Sequence, residues 1–249
     1  MDRVELIKEC VLAITGSDRE HFLQGLITND VTKANGGIIY AALLTPQGKY
    51  LADFFVIGQE ARYLIDVDTA LAAALAQRLA MYKLRADVSI EPTDIIVSRG
   101  TGDAPEGAYL DPRSPALGWR CYGATDCSVA TDWNALNTEH AIPEFGQELG
   151  PDSYILEMGF ERLNGVDFRK GCYVGQEVTA RMKHKTELRK GLSKVRISGN
   201  ANAGTQIMCE DREVGTLLRV AGELGLAYLR FDRADGEMQA GGATLRRDE

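Results

Sequence analysis

The chain has little of what a cross-linked, membrane-embedded or metal-centred protein needs. Its 249 residues include five cysteines, an odd number with no tight pairing pattern, and only three histidines. Such a set does not make a disulfide framework and fits a reducing compartment. Cys121 and Cys127 are separated by five residues rather than the two to four of common metal sites, and His21, His140 and His184 are scattered. The spacing therefore supplies no intrinsic metal or cluster site. No apolar run reaches the roughly eighteen residues of a membrane-spanning helix, so no membrane partner is expected. The start, Met1-Asp2-Arg3-Val4-Glu5-Leu6, lacks a cationic segment followed by an apolar one, which with the thiol usage predicts a cytoplasmic protein. Internal repeats and low-complexity segments are absent too.

What is present is an ordinary globular balance, 45% apolar and 26% charged residues. A chain of this length buries a large core and divides into two or three modules. Strand and helix patterns alternate through the first two-thirds. Cys10 to Ile14 is an apolar strand-like run. Ser17-x-x-Glu20 has the form of a capping box before a helix whose apolar face is Phe22, Leu23 and Leu26. Ile38 to Leu44 and Tyr50 to Ile57 are predicted strands joined by a Pro46-Gln47-Gly48 turn, and Leu64 to Val67 continues the pattern. Leu71, Leu75 and Leu79, at spacing four, predict a helix over 69–82. Shorter strands are expected at 88–90 and 95–97, loop with short strands over 100–128, and a helix from Trp133 to His140. So clear a hairpin argues for mixed or antiparallel pairing, hence an α+β class. After Gly191 the pattern becomes all-β: strands at 192–197, 206–209, 214–220 and 224–231 predict a small barrel of roughly 60 residues. The tail from Gly236 is expected to fray.

The charge distribution is uneven. The net charge is −8, yet Arg169, Lys170, Arg181, Lys183, Lys185, Arg189 and Lys190 crowd one segment against Glu177 and Glu187. A basic patch on an acidic protein is either a solvated helix and loop or a seat for a local anionic partner. In the same segment stands Lys170-Gly171-Cys172-Tyr173-Val174-Gly175-Gln176-Glu177, ahead of a short predicted helix at 178–182. Gly171 and Gly175 permit tight turns or close approach. A thiol beside a lysine and before a helix N-terminus is either a packing residue or a nucleophile kept as thiolate.

This signature resembles that of the YgfZ family, folate-binding proteins that support iron–sulfur cluster assembly and are related to the T-protein (aminomethyltransferase) of the glycine cleavage system. The likeness extends to Asp18-Arg19, Phe22 to Val31, Thr45-Pro-Gln-Gly-Lys49, Leu84 to Val88, Pro151-Asp152 and Leu156-Glu157. It implies a T-protein-like folate-binding body over residues 1–187, itself of two lobes, and a β-barrel over 188–249, with three lobes around a central channel. It also implies tetrahydrofolate, or a one-carbon derivative, as cofactor, and iron–sulfur client or assembly proteins as partners.

On this resemblance Glu157 accepts hydrogen bonds from the pterin edge, in the place of a glutamate at a strand end. Arg181 and Lys185 would face the carboxylates of the glutamyl tail. Asn29, Asp30, Asp53, Tyr173, Gln176 and Glu177 complete the implied folate site, although Asn29 and Asp30 are equally good turn formers. Cys172 is the implied reactive thiol, with Lys170 beside it. One departure stands out: where the T-protein pattern has an acidic pair after its hairpin, this chain reads Ala52-Asp53, which counts against ordinary aminomethyl transfer. Three functions are open at this level: a folate-binding accessory factor for iron–sulfur proteins, a folate-dependent one-carbon transferase, and a folate-linked RNA-modification factor. The acidic bulk charge and the lack of an aromatic-rich sheet near the basic run make nucleic acid the weakest partner.

Overall fold

The computed structural model describes residues 9–124, 126–184 and 188–248. They fall into two compact units, each built from two stretches of chain: residues up to Thr131 with Phe160–Val178, and Asp132–Gly159 with the residues from Thr179 onward. Asp132–Gly159 packs with the barrel.

The first unit is organised by a five-stranded sheet of β1 (Glu9–Thr15), β2 (Ile38–Leu44), β3 (Tyr50–Gly58), β4 (Tyr63–Asp68) and β5 (Ser89–Pro92), in the order β2-β3-β4-β1-β5. Every pairing is antiparallel. The β2–β3 hairpin closes through Gly48 N donating to Thr45 O at 2.8 Å, with Gly48 at φ +75°. Proline at the second turn position and glycine in the left-handed position suit that closure.

Helix α1 (Arg19–Gln24) follows β1, but not through a capping box. Asp18 is its N-cap residue, while Ser17 turns away and gives both its N–H and its hydroxyl to Asp87. Glu20 instead accepts from the Tyr63 hydroxyl at 2.8 Å. Long-range partners have taken the groups that the local motif would use. Helix α2 (Thr69–Lys83) starts at Asp68, whose side chain accepts from Ala70 N, and buries Leu71, Leu75 and Leu79 as their spacing requires. It packs on β1, β3, β4 and β5.

Alternation along the strands separates two kinds of face. Leu12, Phe54, Val56, Ile65 and Val67 share one; Glu9, Asp53, Phe55 and Asp66 share the other. Carboxylates inside a protein need partners, and a second sheet provides them. Its strands β6 (Ile96–Gly100), β7 (Tyr109–Leu110) and β8 (Trp119–Gly123) run in the order β6-β8-β7. Arg120, 1% exposed, donates to Asp66 through Nε at 3.0 Å and Nη2 at 2.5 Å. Its Nη2 also reaches Glu9 at 3.1 Å, and the Phe55 ring lies 4.1 Å from the guanidinium carbon. Tyr122 adds a 2.7 Å bond to Asp66.

In the second unit α3 (Trp133–Glu139) packs on a closed six-stranded barrel. The barrel strands are β9 (Lys190–Ser198), β10 (Gln206–Cys209), β11 (Arg212–Ala221), β12 (Leu224–Arg230), β13 (Met238–Ala240) and β14 (Ala243–Arg247). Their order is β10-β11-β12-β9-β14-β13. The expectation of a frayed tail is corrected here. Met238, Ala240, Ala243 and Leu245 alternate into the barrel core, and β14 pairs with β9 while β13 pairs with β10 to close the ring. Another buried ion pair supports this unit: Arg219 bonds Glu148 at 2.9 and 2.6 Å and Glu144 at 2.8 Å.

Two carboxylates sharing one guanidinium give the first unit a pH dependence. Burial, then the charge of Asp66, pushes the Glu9 carboxyl from about 4.5 up to about 8, against the pull of Arg120. The folded protein thus keeps a proton that the unfolded chain releases, so stability is full below pH about 4.5 and is lost as pH rises through about 8. Glu9→Gln should flatten that slope and exceed the parent at high pH by at least about 1 kcal/mol. Thermal melts across this range check it; equal slopes in the two proteins would contradict it.

Candidate functional site

In the first unit, the returning segment Phe160–Val178 is stitched to the region around α1. The Thr28 hydroxyl donates to Gly165 O at 2.6 Å, and Asp167 N donates to Thr28 O at 3.0 Å. The Asn29 amide donates to Tyr40 O at 2.9 Å and to Asn164 O at 2.8 Å. Lys170 is buried, and its ammonium donates to three carbonyls: Gln24 O at 2.8 Å, Ile27 O at 2.6 Å and Asn29 O at 2.9 Å. Burial pushes this group down to about 8, with Asp30 and Asp167 pulling the other way. Expected beside the thiol as a chemical group, Lys170 instead has every N–H committed to backbone, so it is an anchor.

That anchor positions the signature loop. Cys172 is solvent-exposed, while Tyr173 is buried with its ring centroid 5.1 Å from the Lys170 ammonium. The loop ends in α4 (Gln176–His184), longer at both ends than predicted. The Gln176 side chain reaches back to accept from Tyr173 N at 3.3 Å, and Glu177 occupies the helix's first turn, where a negative charge is favoured. The two glycines of the signature differ. A Cβ on Gly171 would meet nothing within 4 Å; one on Gly175, at φ +84°, would lie 2.6 Å from Thr45 O. Likewise a Cβ on Gly48 would come within 2.8 Å of Val178 Cβ. The signature loop and the β2–β3 turn are therefore pressed together backbone to backbone.

The other first-unit candidates make local bonds. Asp30 caps a 3-10 turn at 31–34 and accepts from Thr32 N, Thr32 Oγ and Gln24 Nε2. Burial works to raise its carboxyl, but the Thr32 and Gln24 bonds hold it below the usual range. Asp53 accepts from the Tyr40 hydroxyl at 2.7 Å and the Tyr50 hydroxyl at 2.5 Å. Burial is the dominant influence and raises its carboxyl despite both bonds. The neighbouring Ala52 is buried on the opposite face of the strand. Tyr40 and Tyr50 were not marked by the sequence, since tyrosines within apolar strands read as core.

In the second unit, Glu157 is buried, in a turn rather than at the end of a strand. Its carboxylate accepts from the Tyr228 hydroxyl at 2.5 Å and lies 3.9 Å from the Lys190 ammonium. Its carbonyl accepts from Leu192 N at 2.7 Å, which fixes the turn to β9. Lys190 belongs to the basic run, but nothing local ties it to Glu157, and Tyr228 went unmarked for the same reason. Arg181 stands exposed in the last turn of α4; Lys185 lies outside the described residues.

Known proteins bear on this architecture. The solved aminomethyltransferase T of the glycine cleavage system from Bartonella henselae superposes over 98% of this chain and 84% of its own, with a TM-score of 0.77 at 12% identity. The fold is that of a T-protein. Residues 189–248 match the family model described as the CAF17 C-terminal beta-barrel domain. Among curated proteins, the chain is similar to iron-sulfur cluster assembly factor IBA57 homolog, mitochondrial, of Mycosarcoma maydis: 35% identical over 72% of this chain and 53% of that protein. It also resembles the mitochondrial IBA57 of Mus musculus, 28% identical over 92% of this chain and 77% of the other. The chain thus spans about half the length of the fungal relative. The expectation of a cytoplasmic protein is overturned by these relatives, which are named as mitochondrial. Reduced thiols mark a reducing compartment but do not say which one.

The contrast between the two signature glycines is directly measurable. Gly175→Ala should cost about 1–3 kcal/mol, from a left-handed backbone and a clash with a carbonyl. Gly171→Ala should stay within about 0.5 kcal/mol of the parent. Denaturant titration of both checks the difference, and equal losses would remove the close approach as its cause.

Proposed function

We propose that this protein is a tetrahydrofolate-binding accessory factor for the assembly or repair of iron–sulfur proteins, of the YgfZ type, with Cys172 as its reactive thiol. The observation that carries this reading is an exposed thiol on a loop held by a fully committed buried lysine and a conformationally obligatory glycine. So much construction around a solvent-facing sulfur is unnecessary for packing. The similarity to proteins named iron-sulfur cluster assembly factors supports the same reading.

Folate binding is proposed from the T-protein fold together with the chemistry of Glu157, a buried carboxylate with hydroxyl and ammonium neighbours. In this proposal Glu157 takes the pterin N–H edge and Arg181 and Lys185 the glutamyl carboxylates, while Asn29, Asp30, Asp53, Tyr173, Gln176 and Glu177 are the first unit's own folate candidates. Asp53 has each oxygen engaged by a phenol hydroxyl, and the neighbouring Ala52 supplies no second carboxylate, which favours binding over turnover.

Glu157→Gln should weaken tetrahydrofolate binding by about 1–3 kcal/mol, the cost of losing a charge-assisted bond; unchanged affinity in a calorimetric titration removes Glu157 from the site. Cys172→Ser should fold normally, because the side chain is exposed, yet fail to support iron–sulfur enzyme activity in cells lacking the parent protein. Full support by the serine variant would sink the reactive-thiol assignment and leave folate binding to stand or fall on the titration.

A further inference from the structure

The small sheet of the first unit carries a second thiol arrangement, away from the signature loop. Cys121 lies on β8, and its antiparallel partner on β6 is Ser98. After β8 the chain returns along β6: Val129 N donates to Arg99 O at 3.2 Å, and Arg99 N donates to Ser128 Oγ at 3.4 Å. On the same strand the Ser98 hydroxyl accepts from Cys127 N at 2.9 Å and donates to Asp126 at 3.2 Å. Directly opposed residues of an antiparallel pair project to one face with Cβ atoms about 4.5–5.5 Å apart. The bond that seats Cys127 on Ser98 therefore also seats it beside Cys121. Ser98 is buried, Cys121 partly so, and Cys127 is exposed. A buried hydroxyl thus serves as the template that brings one accessible and one sheltered sulfur together.

We propose that Cys121 and Cys127 form a reversible dithiol–disulfide pair, oxidised by a small-molecule disulfide of the glutathione class. The exposed Cys127, as thiolate, attacks one sulfur of that disulfide, giving a mixed disulfide and one small thiolate that takes up the proton Cys127 lost. Cys121, as thiolate, then attacks the Cys127 sulfur and expels the second small thiolate, which takes up the Cys121 proton. Two protein thiols are oxidised and one small disulfide is reduced to two thiols, so atoms and electrons balance. The order of attack follows access. Burial, then the neighbouring Cys127, raises the Cys121 thiol, which suits a resolving group rather than a first nucleophile. Oxidation would tie residues 126–129 to β8, the strand whose Arg120 holds Asp66 and Glu9.

The test equilibrates the full chain across ratios of reduced to oxidised glutathione, quenches with an alkylating agent and maps the peptides. In the parent protein the Cys121–Cys127 disulfide should pass from minor to dominant species as oxidised glutathione increases. Cys172→Ser should leave that transition unchanged. Cys121→Ser should accumulate glutathione on Cys127 at least about tenfold over the parent, for want of a resolving thiol. A parent protein that stops at the mixed disulfide, or that pairs Cys127 with Cys172, overturns the proposal. The parent map decides this even if a variant folds poorly.

Discussion

The exposed cysteine has a defined position because one buried ammonium is divided among three backbone carbonyls. An ammonium has three N–H donors, and Gln24, Ile27 and Asn29 take all of them. This arrangement gives a donor to carbonyls at the end of a short helix and just beyond it. It also ties the loop after Lys170 to the connection between α1 and β2. Arginine in the same place would present a planar fork instead of a three-way point charge and could not reproduce the geometry. The Thr28 and Asn29 bonds run parallel to this tie, so the returning segment is held by several polar contacts together with the stack of Tyr40 on Phe160.

The charged face of the five-stranded sheet obeys the same rule on a larger scale. Two cations there are flanked by carboxylates, the half-buried Arg113 by Asp111 and the buried Arg120 by Asp66 and Glu9. Both guanidinium groups also lie near the Phe55 ring, at 4.8 and 4.1 Å. Such pairs contribute little net stability over an apolar core, but removing one partner leaves an uncompensated charge. They therefore restrict which residues can face each other, and so specify how the two sheets of this unit meet.

What could be read from the amino-acid order was what short-range chemistry decides. The β2–β3 hairpin, α2 and the barrel strands β9 to β12 have local turn residues or regular apolar spacing. The apparent capping box failed because Ser17 met Asp87, seventy positions away. Strands β13 and β14 were missed because they lie in a glycine-rich, charged stretch and are stabilised by pairing with β10 and β9 rather than by their own pattern. The signature was recognisable as a motif, yet the part played by Lys170 was not. Its acceptors are main-chain atoms, which leave no trace in side-chain identity. Glu157 was legible only through resemblance; its bond to Tyr228 links positions 71 residues apart.

The path of the chain has a consequence for synthesis on the ribosome. It passes from the first unit at Thr131 into the second, returns at Phe160, and leaves again after Val178. A nascent chain that has emerged only as far as Thr131 has its sheets but not the lysine that its carbonyls at 24, 27 and 29 await, nor the Phe160 ring that covers Tyr40. The first unit can close only after Asp132–Gly159 has been made, and that stretch must then wait for the barrel strands that follow α4. Folding is in this sense deferred. Neither unit completes as a simple vectorial product, and the carbonyls at 24, 27 and 29 stay without their lysine until residue 170 has emerged.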